Sequence, residues 1–392
     1  MKIKIGSYRN AGELLSLFGL SVRDPFNEDS QNRRILDSPL AQEFLDLPKG
    51  SIRHTAGSQS DSISDTNDPE MQYALTTLLP ALPESVTNDF TWPPQLPTED
   101  LTDWVTQRTG RITIFNEPPN RIPSIYANGQ DAVDRQKIVY SAHPNLQSKM
   151  WIQTGKPEVV RYPELSDPLG VAKNQSCLDA ASSAVIAGEL PARIVTTHKI
   201  YDAYPADKLA FYRELMEDYK TYFGNNVEVC FQEFNYAESE SNSVAHALAC
   251  GEFLLILARL KGEGYNISGA AYHQGFAVGT SNIFGLDGPS GTGNWGTGFM
   301  YLMWDMFGKK LRDGKLNVTT VTDQPNRTQV IIVRSGWRRF ALYSNVGAAQ
   351  SVNLDGVTFE YVNSSGLQSA VWSGTLPANS VGVVRLRRRL VK

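Results

Sequence analysis

The feature that most constrains this chain is a change of texture along its length. Between residues 19 and 272, short apolar or β-branched runs recur: GLSV (19–22), SIRH (51–54), YALTTLL (73–79), RITIF (111–115), KMWIQ (149–153), ARIVTT (192–197), VEVCFQ (227–232) and ISGAAY (267–272). Several intervals between them, such as 205–223 and 244–262, repeat apolar residues near i, i+3, i+4 and i+7, which predicts helices. Strands alternating with helices predict a parallel sheet, and eight such units fit a (β/α)8 TIM barrel better than an open doubly wound sheet. From about residue 316 the runs NVTTVT, TQVIIVRS, RRFALYSN, VTFEYVN and GVVRLR follow one another with Gly, Asn, Asp or Pro between them and no helical segment. That is the pattern of an antiparallel β-sandwich. The expected fold is therefore α/β: a barrel over 13–312 and a smaller sandwich over 313–392, to which the alternating KIKIG of residues 1–12 adds a strand. Residues 83–100, rich in Pro, Thr, Asp and Glu, read as a long loop or lid after the third strand.

Composition narrows the function classes. The 392 residues are 41% hydrophobic and 20% charged, with a formal net charge of −4, which excludes a disordered chain and gives no overall field favouring nucleic acid or an anionic membrane. The basic run Arg385, Arg387, Arg388, Arg389 and Lys392 reads as a solvated tail. Cys177, Cys230 and Cys250 are too few and too scattered for a metal cluster or a disulfide framework, and His54, His143, His198, His246 and His273 show no metal-ligand spacing. No metal or cofactor is expected. The opening MKIKIGSYRN lacks a signal-peptide core and the longest apolar run, 253–258, is too short to span a bilayer, so a cytoplasmic or particle-associated protein is expected, or a secreted one whose leader has been removed. Gly291, Gly293 and Gly296 spell G-x-G-x-x-G, but they neither end a strand nor open a Rossmann unit.

In a barrel of this type the chemistry sits at the C-terminal ends of the strands. Glu117, in RITIFNEPPN, follows the fourth run and precedes a double proline that stops the strand; Glu233, in VEVCFQEFNY, ends the seventh. Two carboxyl groups across a cleft are what glycosidic cleavage requires, one to protonate the leaving oxygen and one to attack the sugar or activate water.

Asn116-Glu117-Pro118 after the fourth strand and Gln232-Glu233-Phe234 after the seventh resemble the paired motifs of clan A glycoside hydrolases. The resemblance implies that Glu117 is the acid/base and Glu233 the nucleophile of a retaining β-glycosidase, with a carbohydrate as its partner. It extends to Arg53, in SIRHTAG beside His54, which matches the arginine next to the nucleophile, and to His198 and Tyr201, which fall where the clan has a His or Tyr hydrogen-bonded to the nucleophile. Asn116 would bond the sugar 2-hydroxyl. The stretch 282–311 resembles the loop and last barrel helix of β-xylosidase, arabinofuranosidase and glucuronidase-like families, which carry a C-terminal sandwich. One departure stands out: many members end strand eight with a Trp, whereas here the residues are Ala271-Tyr272-His273-Gln274. Tyr272 or His273 substitutes for it, or Trp295 reaches in; Trp92 and Tyr126, in expected top-face loops, are further candidates for stacking on sugar rings. The retaining scheme calls for a raised pKa at Glu117 and an ionised Glu233. The alternative is a glycan-binding or structural protein, of a particle or surface, that keeps the barrel without the turnover.

Overall fold

The computed structural model describes residues 2–8, 14–22, 34–54, 69–93, 102–200, 204–236, 243–278, 284–286, 295–311, 314–322, 327–335 and 337–387. Eight parallel strands close into a barrel: β1 Gly19–Val22, β2 Ser51–His54, β3 Thr87–Trp92, β4 Thr109–Ile114, β5 Met150–Gln153, β6 Arg193–Ile200, β7 Glu228–Tyr236 and β8 Ile267–Val278. Each pairs in parallel with the next, and β8 closes the ring by pairing with both β7 and β1. Helices fill the crossovers, several with capped starts: Asn128, Asp167, Asp207 and Ser243 each accept the backbone N–H three residues on.

The third strand departs from the sequence reading. YALTTLL belongs to a helical run over 69–81 whose middle, Ala74–Leu78, is a π turn. Met71, Ala74, Leu78 and Leu82 are buried while Thr76 and Thr77 face solvent, so helical spacing prevails over the β-branched pair. The strand is instead Thr87–Trp92, inside the stretch expected to be a loop. Its Asn88 and Asp89 disguise it, since both residue types are poor strand formers. Asp89 is held by Arg111, whose backbone N–H and Nη1 donate to it at 2.9 and 2.7 Å.

The C-terminal part is a seven-stranded antiparallel sheet in which the N-terminal strand Lys2–Tyr8 pairs with Gly314–Thr322, followed by Thr328–Ser335, Arg338–Asn345, Ser380–Leu386, Gly356–Asn363 and Gly366–Val371. Period-two alternation gives it two faces. Ile331, Val333, Leu342, Val381 and Val383 join the barrel core, whereas Val330, Ile332, Tyr343, Phe359 and Val384 form a second core beneath the small sheet of Gln350–Ser351 and Thr375–Leu376. The arrangement is sandwich-like, with unequal layers.

The helix Val244–Glu263 is buried almost all round because it lies between the barrel and this sheet. The Ser344 hydroxyl donates to the Leu248 carbonyl at 3.1 Å, and Gly251 admits the Val381 side chain where a Cβ would stand 2.9 Å from it. Among the described residues no helix is long and apolar enough to cross a membrane, and no group of His, Cys, Asp or Glu is placed to hold a metal. All three cysteines are buried and free.

Candidate active site

Glu117 stands three residues beyond the end of β4 and Glu233 lies near the end of β7. Both adopt left-handed backbone, with φ of 47° and 57°, a region that few residues other than glycine enter. The geometry matters because strand side chains alternate. Gln232 faces the barrel interior, where Thr113 of β4 donates to its Oε1 at 3.1 Å. Strict alternation would send Glu233 outward; the left-handed turn, with a break in the β7–β8 register between Phe231 and Phe234, brings its carboxylate back into the mouth.

There Glu233 meets Arg53 of β2, fully buried, whose Nη1 donates to Glu233 Oε1. The other Nη of Arg53 donates to Thr91 Oγ1 at 3.0 Å and to Asn116 Oδ1 at 3.1 Å. One guanidinium thereby ties the residue before Glu117 to Glu233. The fork geometry of arginine suits that double duty.

Glu117 has its own support. Its backbone N–H donates to Gln153 Oε1 at 2.8 Å, Thr197 Oγ1 donates to its carboxylate at 2.8 Å, and Lys156 Nζ lies 3.6 Å away. Lys156 is fixed by its backbone N–H, which donates to Asn174 Oδ1 at 2.8 Å. Burial pushes the Glu117 carboxyl up, but Lys156, the hydroxyl of Thr197, Asn120 and Arg53 together hold it below the ordinary glutamate value. That is opposite to the raised pKa expected from the retaining scheme. The cause is a cation that the motif comparison did not include.

The remaining residues divide by the side of the strand they occupy. His198 does not reach Glu233: its Nε2 pairs with the Tyr212 hydroxyl at 2.8 Å and its Nδ1 with Glu158 Oε1 at 3.2 Å, with Tyr204 and Phe253 stacked nearby. It is fully buried among these aromatics and reaches only the wall of the cavity, whereas Thr197, one residue earlier, bonds Glu117 directly. The same offset separates Tyr272 from His273. The Tyr272 hydroxyl meets His246 Nε2 at 2.8 Å in the core, beside Phe234 and Trp304, and so cannot floor a sugar site. His273 Nδ1 lies 3.8 Å from Glu233 Oε2. Burial drives the His273 pKa down; Glu233 opposes the shift and Arg53 adds to it.

Trp92 ends β3 and Tyr126 lies in the loop before the helix Gly129–Ala142, and both are buried packing residues, Trp92 against His143 and Tyr126 against Phe115. His54 ends β2 and Trp295 begins the short strand Trp295–Thr297, but their side chains lie outside the described residues, as does Tyr201 altogether. Gln153, Lys156, Thr197 and Thr91 escaped the sequence reading. All but Lys156 are polar residues at the ends of barrel strands, and that was the available signal.

Both glutamates open onto one cavity of about 700 Å³, which Gln153, Lys156, Glu158, Thr197, Asn235 and His273 also line. Around it, Asn116 Nδ2, Gln153 Nε2 and Glu158 Oε2 are buried without hydrogen-bond partners among the described residues.

No family model matches the chain, and no curated protein matches it by sequence. Solved structures do match by fold. A conserved exported protein from Bacteroides fragilis is 13% identical over 98% of this chain and 99% of that one, with a TM-score of 0.64. A monomeric β-xylosidase from Caulobacter crescentus is 9% identical over 99% of each chain (TM-score 0.58), and a GH30 endoxylanase from Clostridium papyrosolvens is 13% identical over 98% of this chain and 99% of that chain (TM-score 0.55). At such identities the likeness is one of fold: the chain has the barrel-and-sheet architecture of clan A glycoside hydrolases.

Proposed function

We propose that the protein is a retaining glycoside hydrolase that cleaves β-linked oligo- or polysaccharides, with Glu233 as nucleophile and Glu117 as acid/base. One observation carries the reading: two glutamates from β4 and β7, each in left-handed backbone, open on the same cavity, and buried Arg53 links Glu233 to Asn116. The barrel over 13–312 is taken as the catalytic part, and the sheet domain over 313–392, with the N-terminal strand, as its accessory.

In the first step the Glu233 carboxylate attacks the anomeric carbon, the bond to the leaving oxygen breaks, and Glu117 gives that oxygen its proton. Arg53 holds the Glu233 carboxylate in position, and His273 stands on its other side. In the second step Glu117 takes a proton from water, which attacks the same carbon and frees Glu233. Lys156 and Thr197 favour the ionised Glu117 that this step uses. They disfavour the protonated form that the first step uses, so the reading entails an acidic optimum. The unpaired Asn116 Nδ2, Gln153 Nε2 and Glu158 Oε2 suit a hydroxyl-rich ligand, because a buried polar group left unpaired costs about 1–3 kcal/mol. The chemistry needs no cofactor.

The low pKa of Glu117 favours a second reading, a glycan-binding protein without turnover. Trapping separates the two. Incubation with 2-deoxy-2-fluoro-β-glycosides, followed by mass spectrometry, should label Glu233, and NMR of hydrolysed substrate should show retained configuration. Glu233→Gln should abolish turnover with the fold intact, and azide should rescue Glu117→Ala on substrates with good leaving groups. Glycan binding without hydrolysis of any β-glycoside between pH 4 and 8 would establish the second reading in its place.

A further inference from the structure

Arg385 and Arg387, near the C-terminus, belong to a surface apart from the cavity that holds Glu117 and Glu233. At one end of the seven-stranded sheet, two adjoining depressions of about 190 and 230 Å³ share Arg338 and Arg385 in their walls. Lys310 completes the first, and Arg339, Arg387 and Trp337 the second. The strand register explains the convergence: Arg385 lies opposite Phe340 on one neighbour and Thr358 on the other, while Arg338 opens the strand that carries Phe340.

Two observations set this patch apart from an ordinary solvated edge. The indole of Trp337 is 57% exposed, with the Arg338 guanidinium 4.9 Å from its centroid. The cations also outnumber nearby acids: Arg387 pairs with Asp355 at 3.4 Å, and among the described residues Glu360 is the one carboxylate in the walls of the two depressions. Like charges gathered at one edge repel one another, so the arrangement suits an anionic partner. An exposed aromatic beside arginine forks suits a ring with an apolar face and carboxylates at its rim.

We infer that this edge is a second carbohydrate site, which binds an acidic polysaccharide through Arg338, Arg385 and Trp337. The choice of a polysaccharide over other polyanions rests in part on the proposed glycosidase reading. Charge density supports it independently. Duplex DNA carries a charge about every 1.7 Å and calls for a long basic track, whereas a polyuronate carries at most one charge per sugar and needs only a short basic edge.

The test is native gel electrophoresis of the full chain through polygalacturonate, with neutral xylan gels, duplex DNA and phosphatidylserine vesicles as competitors, at about 0.15 M salt. Retardation by polygalacturonate but not by xylan is expected, with dissociation constants raised about tenfold in both Trp337→Ala and the Arg338→Gln/Arg385→Gln double variant. These side chains are exposed, so unchanged thermal melts should accompany the loss. The readout does not pass through Glu117 or Glu233, and binding that persists in Glu233→Gln keeps the inference separate from the catalytic reading. Absence of retardation, equal retardation of the variants, or displacement by DNA or vesicles at matched charge would each overturn it.

Discussion

Lys156→Met is the sharpest test of the proposed chemistry. The ammonium lies 3.6 Å from Glu117 Oε1, and the two side chains are 22% and 25% exposed. Coulomb's law at that separation gives about 1 kcal/mol if water screens the pair fully and roughly 5 kcal/mol at an effective dielectric of 20. For a partly solvated pair we take the lower end, about 1–2 kcal/mol, or about one pH unit at 1.36 kcal/mol each. The sign follows from the causes. Burial already pushes Glu117 up, so removal of the largest opposing influence raises its pKa. A general acid must carry its proton in the free enzyme, and the basic limb of kcat/KM should therefore move about one pH unit upward. The assay needs a β-glycoside with a poor leaving group, because a good one departs without protonation and hides the limb. The same change should lower stability at neutral pH. A carboxylate with a depressed folded-state pKa stabilises the fold above its unfolded pKa, and that contribution disappears as pH falls through the folded value. The Lys156→Met melting curve should thus converge on the parent's only once pH has fallen below the ordinary glutamate range. A basic limb that stays in place, or moves to lower pH, would refute Glu117 as the acid.

Three further outcomes follow from the same geometry. Arg53→Lys should cost more than about 100-fold in kcat with a smaller change in KM, because one ammonium cannot reach Glu233, Thr91 and Asn116 together; steady-state kinetics with parental activity would contradict this. Tyr272→Phe should lower stability by about 1 kcal/mol through loss of the bond to His246 and leave KM unchanged, whereas a raised KM in steady-state assays would return Tyr272 to the sugar site. At Gly155 a Cβ would collide with the Asn174 carbonyl, so Gly155→Ala should destabilise by about 1–3 kcal/mol and disturb the loop that carries Lys156; a parental melting temperature in calorimetry would show that the loop gives way.

The barrel was legible because its strands and helices follow different periods, and the sheet domain because its runs lack helical spacing. The third strand shows where that legibility stops. Thr76 and Thr77 advertise a strand, yet Met71, Ala74, Leu78 and Leu82 bury at helical intervals, and the true strand hides behind Asn88 and Asp89. Asp89 tolerates burial because Arg111 reaches across from β4, a long-range contact that no local window contains, while the Asn88 side-chain amide is buried with no hydrogen-bond partner among the described residues. The strand count stayed at eight because one run replaced the other within the same interval, which kept Glu117 after the fourth strand and Glu233 on the seventh.

The site divides along the same line between local and long-range information. Residue type and strand end pointed to Glu117 and Glu233, and the resemblance of the surrounding motifs was needed to single them out and to add Arg53. Neither told which of two adjacent residues meets one of these glutamates, because one register step exchanges the two sides of a strand: Thr197 for His198, and His273 for Tyr272. Local pattern is least informative at the glutamates themselves. Nothing about glutamate favours left-handed backbone, which costs on the order of 1 kcal/mol for such a residue. Yet the two carboxylates that share the cavity are two of the five non-glycine residues with positive φ among those described. Buried Arg53, held by Thr91 and Asn116, offsets part of that cost through its pair with Glu233, and Gln153 and Thr197 do the same for Glu117. A barrel selected for stability alone would place glycine or asparagine at both turns. Glutamate in strained backbone, supported from β2, β3, β5 and β6, is the arrangement that the proposed chemistry at that mouth calls for.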